Sequence, residues 1–277
     1  MSITAQDINK LRQLTGVGMM DCKQALAEAR GDFDKAIELL RKKGQKLAAV
    51  RAGKATTEGL VLAGVNKVHS YGVIIALSCE TDFVAKNKAF QELGQAILAT
   101  ALALQPDTTE TLSKLTIEDH TIQERITELI GKMGENITLS AYDTLSSEVV
   151  VPYLHTGSKL GVLVGLKGGT GEQVIVAGKD VAMQIAAMNP IAVDKDGVDT
   201  TIVEKELAIA REQAINEGKP PAILEKIAQG KLYKFFKENT LLTQPFVKDN
   251  SLTVAQYLAQ VASDLTVTGF KRVLVGT

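Results

Sequence analysis

The chain has 277 residues, 45% hydrophobic and 23% charged, values that exclude a disordered chain and fit a globular protein of two or three modules. Lys plus Arg number 31 against 32 for Asp plus Glu, a formal net charge of -1, and aromatics make up 4% with no Trp. Such a surface offers no long-range attraction to a polyanion and few rings for base stacking, so no nucleic-acid or membrane partner is expected.

Residues 1–55 read as a small helical module with a basic linker. Thr4 is placed to cap a first helix, with Asp7 three residues on and Ile3 and Ile8 as a hydrophobic staple; Ile8 and Leu11 give its buried stripe. Gly16-Val17-Gly18 breaks the chain. A second helix from about Met19 has Cys22, Ala25, Leu26 and Ala29 on one face and is closed by Gly31. Asp32 caps a third, in which Phe33, Ala36, Ile37 and Leu40 share a face and Gly44 is the expected stop. Met19 and Met20 cannot both face inward, and methionine suits an adaptable contact surface as well as a small core. Arg41, Lys42, Lys43, Lys46, Arg51 and Lys54 then read as a solvated helix end and linker.

The next stretch pairs a candidate strand at 60–65 with a bounded, β-branched apolar run, Gly72-Val73-Ile74-Ile75-Ala76-Leu77. Phe90, Leu93, Ile97 and Leu98 fall at helical spacing, so a helix begins near Asn87. Between strand and helix lies Cys79-Glu80-Thr81-Asp82-Phe83-Val84-Ala85-Lys86, a turn with a carboxylate and a phenyl ring at its tip. Loops on a rigid scaffold concentrate function. On local pattern alone Phe83 as a core residue and Asp82 as a helix cap stay open.

An internal repeat organises the remainder. Tyr71-Gly72-Val73-Ile74-Ile75-Ala76-Leu77 is matched 89 positions later by Leu160-Gly161-Val162-Leu163-Val164-Gly165-Leu166. A partner strand (149–153) precedes the second copy, and an amphipathic helix (181–188) follows it. Two related α+β subdomains are expected. In the same register Thr81 aligns with Thr170, but Asp82 meets Gly171 and Phe83 meets Glu172. The framework repeats and the tip does not, which argues that the tip does more than close a turn.

From about 200 to 238, Val203, Leu207, Ala210 and Ala214, then Ile223 or Leu224, Ile227 and Leu232, form two stripes either side of Gly218-Lys219-Pro220-Pro221. They predict two helices of about 17 residues, each roughly 25 Å long, paired antiparallel, as a projecting arm for self-association or a partner, or as a simple packed hairpin. The tail returns to the core with strands at 246–247 and 270–275 and a helix at 254–261.

Catalytic chemistry has no foothold in the pattern. The 3 histidines, His69, His120 and His155, lack Cys or Glu at metal-ligand spacing. Neither a nucleophile elbow nor a phosphate loop occurs, and no second group stands ready to work with Asp82. No cofactor or metal is expected. Cys22 and Cys79 lie in separate apolar surroundings and read as buried thiols of a reducing compartment. With no export-type amino terminus and no apolar run of about 18 residues, the expected location is the cytoplasm.

Leu11-Arg12-x-x-Thr15-Gly16-x-Gly18-Met19-Met20-Asp21-Cys22-Lys23-x-Ala25-Leu26, with Gly31-Asp32 after it, closely resembles the start of bacterial elongation factor Ts. Thr81-Asp82-Phe83-Val84-Ala85-Lys86-Asn87 resembles that family's second hallmark. The likeness continues through His155-x-Gly157-x-x-Gly161-Val162-Leu163-Val164, Gln244-Pro245-Phe246-Val247 and Thr268-Gly269-Phe270. The resemblance implies a guanine nucleotide exchange factor for elongation factor Tu, without chemistry of its own. It assigns Arg12, Met19 and Met20 to a grip on the GTPase domain, Thr81, Asp82, Phe83 and Val84 to a wedge beside the nucleotide and Mg²⁺ site, and His155 to another domain of the partner. Many members continue with a helical segment after the Thr-Gly-Phe strand; the sequence stops at Thr277, so that contact is expected to be either missing or truncated away. The fold expected is α+β: a three-helix, UBA-like module at 1–55, core subdomains at 56–145 and 146–277, and an inserted helical hairpin at about 198–240. Without the resemblance, a non-enzymatic adaptor is the alternative, with a carboxylate-dependent hydrolase a distant third.

Overall fold

The computed structural model describes residues 3–276. Its first three helices are α1 (Ala5–Thr15), α2 (Met19–Glu28) and α3 (Phe33–Arg51). Thr4 and Asp7 form the expected reciprocal capping box, and Asp32 accepts from the Lys35 N–H at the start of α3. Leu11, Cys22, Ala25, Leu26, Ala36 and Leu40 close a small core of their own.

Gly44 does not end α3, which runs on to Arg51. The glycine sits where α3 crosses α7 (Ile122–Met133), opposite Gly131: a methyl group on Gly131 would lie 3.1 Å from the Gly44 Cα. Two facing glycines let the backbones approach, and that packing outweighs the roughly 1 kcal/mol by which glycine disfavours a helix interior. The basic stretch as far as Arg51 is therefore helix, and several of its charges are engaged. Lys43 pairs with Asp21 of α2 (2.7 Å), Arg41 donates to His120 Nε2 (2.9 Å), and Arg51 pairs with Glu80 (2.9 Å).

The repeat appears as two three-stranded antiparallel sheets of like topology. The first orders β1 (Glu58–Val65), β2 (Tyr71–Cys79) and β5 (Ile137–Ser146) with β2 central. The second orders β6 (Val149–Leu154), β7 (Leu160–Lys167) and β10 (Thr266–Leu274) with β7 central. Between β2 and β5 lie α4 (Asp82–Ala85), α5 (Lys88–Leu104), α6 (Thr109–Lys114), the short β3 (Thr116–Ile117) and β4 (His120–Thr121), and α7. Periodicity alone gives no separate expectation for residues 105–148. After β7 come α8 (Glu172–Met188), α9 (Thr200–Asn216), α10 (Leu224–Asn239), the short β8 (Pro245–Phe246) and β9 (Asp249–Thr253), and α11 (Val254–Val261). The architecture is α+β, mixing helices with antiparallel sheet. The tail strand expected at 270–275 begins earlier, at Thr266, and Val247 lies just past β8.

Both central strands are apolar on both faces, so their sequences run without alternation. Val73, Ile75, Leu77 and Cys79 of β2 face a core with Phe90, Ile97 and Ile126, and Val162, Val164 and Leu166 of β7 face one with Val181, Ile185 and Leu258. The intervening residues Ile74, Ala76 and Leu163 meet between the sheets, with Val61, Val150 and Val273. The order of layers is helices, sheet, sheet, helices.

The sheet-to-sheet contact is reciprocal. A methyl group on Gly72 would stand 2.7 Å from Val150 Cγ1 and 3.2 Å from Leu163 Cδ2. One on Gly161 would stand 2.6 Å from Val61 Cγ1 and 3.0 Å from Ile74 Cδ1. Each pair is the other shifted by the 89-residue repeat, so one glycine per copy admits the aliphatic side chains of its counterpart.

In α9 and α10, Ala210, Ala214, Ala228 and Leu232 are buried, Arg211 bonds Glu225 through Nε and Nη2 (2.9 and 3.0 Å), and Lys231 reaches Gln213 (2.9 Å). Leu224, not the exposed Ile223, continues the second stripe.

Overpacking a filled core costs about 1–3 kcal/mol. Gly161→Val is expected to destabilise the chain by about that amount in urea unfolding, and Gly161→Ala by less.

Candidate functional site

The turn after β2 is built from tied residues and one exposed ring. Thr81 has extended backbone and begins α4, whose single turn is closed by Ala85 N–H to Thr81 O (3.2 Å) and Lys86 N–H to Asp82 O (3.0 Å). Asn87 then caps α5, its side chain accepting from the Ala89 N–H (2.9 Å). In the second copy nothing interrupts the helix. Gly168 and Gly171 turn the chain with positive φ, and α8 starts at Glu172, the counterpart of Phe83. The tip of the first copy thus occupies the place of the opening turn of α8, separated from α5 by the Asn87 cap.

Val84 is only 7% exposed and anchors the turn in the core of the first sheet. Phe83, its neighbour, is 82% exposed. The core reading of Phe83 is therefore overturned, while Val84, expected among the contact residues, faces the chain's own interior. Asp82 stands beside the ring and accepts from Lys86 Nζ at 2.6 Å. That hydrogen bond, the Lys86 charge and the charge of Lys159 hold the Asp82 carboxyl below the usual carboxylate range.

Beneath the tip, Glu135 accepts from the Thr81 N–H through Oε2 (3.0 Å) and from the Thr81 hydroxyl through Oε1 (2.6 Å). Glu80 accepts from the Asn136 N–H (2.6 Å) and from Arg51, and Asn136 Nδ2 donates to Lys54 O (2.9 Å). The Cys79 thiol donates to Thr81 O (3.2 Å). Sequence pattern does not reveal Glu135: it is a single acid in a Gly134-Glu135-Asn136 turn, far along the chain from Thr81.

The other expected contact residues lie apart from the tip. Arg12 is exposed on α1, and Met19 and Met20, at the start of α2, are 44% and 74% exposed, so neither methionine fills the small core. His155 is exposed in the β6–β7 connection, where Nδ1 bonds Tyr153 Oη (3.0 Å). Lys159, in that connection, pairs with Glu58 at the β1 end that faces Cys79 (2.6 Å). Along α3 the residues that meet Asp21 and Glu80, Lys43 and Arg51, are about 12 Å apart.

A family model described as Elongation factor TS matches residues 80–277, beginning at the tip. An elongation factor Ts from Amoebophilus asiaticus is 73% identical over 276 residues, covering 100% of both chains. The chain belongs to the elongation factor Ts family. Its role is that of a translation elongation factor. The elongation factor Ts of Cytophaga hutchinsonii is 52% identical over 98% of each chain, and that of Chlorobium phaeobacteroides 40% identical over 99% of each. The family model starts at Glu80, whereas these relatives also align with the amino-terminal helices.

Among the described residues no cluster of three or more His, Cys, Asp or Glu side chains is placed to hold a metal ion, and no helix is long and apolar enough to cross a membrane. Both cysteines are free and buried. Burial, then the negative charges of Glu135 and Glu58, push the Cys79 thiol up to about 12. An acid whose pKa rises on folding contributes stability that is whole below its unfolded value, 9.0, and lost as the pH climbs through about 12. Urea unfolding between pH 9 and 12 is thus expected to show a loss of stability that Cys79→Ala reduces, and alkylation of Cys79 is expected to require unfolding.

Proposed function

We propose that the chain is the guanine nucleotide exchange factor for elongation factor Tu, with no reaction of its own, and that Asp82 and Phe83 are the element that loosens the partner's GDP. The exposure of Phe83 carries this reading. A phenyl ring left in water on a turn whose neighbours are all tied is stable only at the expense of its hydration, and it gains from burial in another molecule. In this reading Arg12, Met19 and Met20 grip the GTPase domain, His155 meets a second domain, and Thr81 and Val84 support the tip from beneath. The working units are 1–55, a UBA-like module, and the two core subdomains, 56–145 and 146–277. We assign α9 and α10 to an inserted antiparallel hairpin at about 198–240 whose exposed Ile202, Ile209, Ile215 and Tyr233 serve self-association. The cytoplasm, where translation runs, is the proposed location.

The mechanism is differential binding. A GTPase holds its diphosphate through a phosphate loop and Mg²⁺. A ring entering beside that site displaces the loop, and a carboxylate next to it repels phosphate charge and competes for the groups that hold the metal. Each ~1.4 kcal/mol removed from the barrier to release speeds it about tenfold. Coupling is reciprocal, so incoming nucleotide weakens the factor's hold by the same factor.

Release of a fluorescent GDP analogue from elongation factor Tu is the direct measurement. The intact chain is expected to accelerate it, and Phe83→Ala to slow that acceleration at least tenfold with little change in thermal unfolding, since the ring is largely exposed and belongs to no core. Normal exchange by a folded Phe83→Ala protein would remove the tip from the mechanism, and binding without acceleration by the intact chain would leave an adaptor.

A further inference from the structure

We infer that Glu135 is a positioning residue for exchange: by holding Thr81 at two points it fixes the direction in which Phe83 leaves the turn. The inference rests on the proposed role of the tip. Four observations carry it.

Glu135 takes part in none of the ion pairs among the described residues, and both of its oxygens go to Thr81. The hydroxyl bond, at 2.6 Å, is in the short range of a hydrogen bond to an ionised acceptor. Next, Thr81 is the residue before α4, yet its side chain makes none of the usual bonds to the helix it begins. Its hydroxyl is given to Glu135 instead, so the turn that carries Phe83 takes its direction from a residue 54 positions away.

The carboxylate is also braced. Asn136 donates its backbone N–H to Glu80 (2.6 Å) and its side-chain amide to Lys54 O (2.9 Å), and Glu80 is held by Arg51 at the end of α3. Asn136, next after Glu135, and Glu80, next before Thr81, are thus bonded to one another, a second tie between the same two segments. Finally, Glu135 lies close enough to the buried Cys79 thiol for its negative charge to raise that thiol's pKa. The neutral thiol in turn donates to Thr81 O (3.2 Å), so Thr81 is held at its N–H, its hydroxyl and its carbonyl. In the second copy the turn meets a different acid: Gly168 N–H donates to Glu148 (2.8 Å), and no exposed ring follows.

A positioning role makes a specific kinetic pattern. Losing two hydrogen bonds to a charged acceptor frees the turn, so Glu135→Ala is expected to lower the maximal rate of GDP release about tenfold. The factor concentration at half-maximal rate should move less than about twofold, because the helical grip is untouched. Glu135→Gln, which keeps one carbonyl acceptor, is expected to fall between. The deciding comparison is the cycle with Phe83→Ala, all four proteins being full-length and assayed on GTPase loaded with fluorescent GDP. If Glu135 acts through the ring, Glu135→Ala slows release in the parent and has no further effect in the Phe83→Ala background. Additive losses, a change confined to the half-saturating concentration, or normal release by Glu135→Ala beside a slow Phe83→Ala would overturn the inference and leave the tip reading standing. Normal release by Phe83→Ala would overturn both. Should Glu135→Ala fail to fold, Thr81→Val, which removes the hydroxyl from the other side of the same bond, completes the cycle with Glu135→Gln.

Discussion

The rest of the structure depends on two sheets being able to touch. Gly72 admits Val150 and Leu163 of the second copy, and Gly161 admits Val61 and Ile74 of the first, so the same contact is made twice, related by the 89-residue repeat. A side chain at either glycine would push the sheets apart along the line on which both central strands lie. The consequence is that β2 and β7 are dry on both faces, with helices outside and the other sheet inside. A strand held from two sides has a fixed end, and the end of β2 is where the tip begins. The stiffness on which the proposed mechanism relies starts at this interface, not in the tip.

A second close approach of glycines, Gly44 on Gly131, serves the amino-terminal helices. It lays α3 across α7 and brings Arg51 to Glu80, so that one helix runs from the small module to the foot of the tip. The ion pairs along α3 are partly exposed and each contributes little to stability. Their value is geometric, since Lys43, Arg41 and Arg51 fasten the helix to three different elements. In the proposed reading the two surfaces that meet the GTPase are thereby presented together, which lowers the entropy cost of engaging both.

What the sequence reveals divides by range. The caps at Thr4 and Asp32, the buried faces of α1 to α3, both central strands and the stripes of α9 and α10 rest on residues within a turn or a strand of one another, and these were legible. The repeat was legible because Gly72 and Gly161 serve the same purpose. Gly44 misleads because its reason for being there is Gly131, on another helix. β5 escapes detection because its sequence mixes Thr, Ser, Tyr and Asp with apolar residues. Its polar side chains find partners in the sheet, as in Ser140 Oγ with Ser78 Oγ (2.6 Å), so alternation is blurred. At the tip, pattern identified Phe83 as unusual through its mismatch with Glu172 but could not decide between core and solvent. Glu135 had no local signature of any kind. The proposed site rests on long-range pairings, and those are what periodicity does not encode.

In the proposed reading, the place of α4 in the repeat has a consequence for the cost of recognition. The second copy keeps as one continuous helix what the first divides with a single asparagine cap. No extra length of chain was needed to raise the ring into solvent, and so no floppy excursion has to be quieted when it meets a surface. A side chain offered from a long loop surrenders backbone freedom at the moment of contact, about 1–2 kcal/mol for each residue immobilised. Here that freedom is given up once, when the protein folds, and the ring arrives with little left to lose except the water around it.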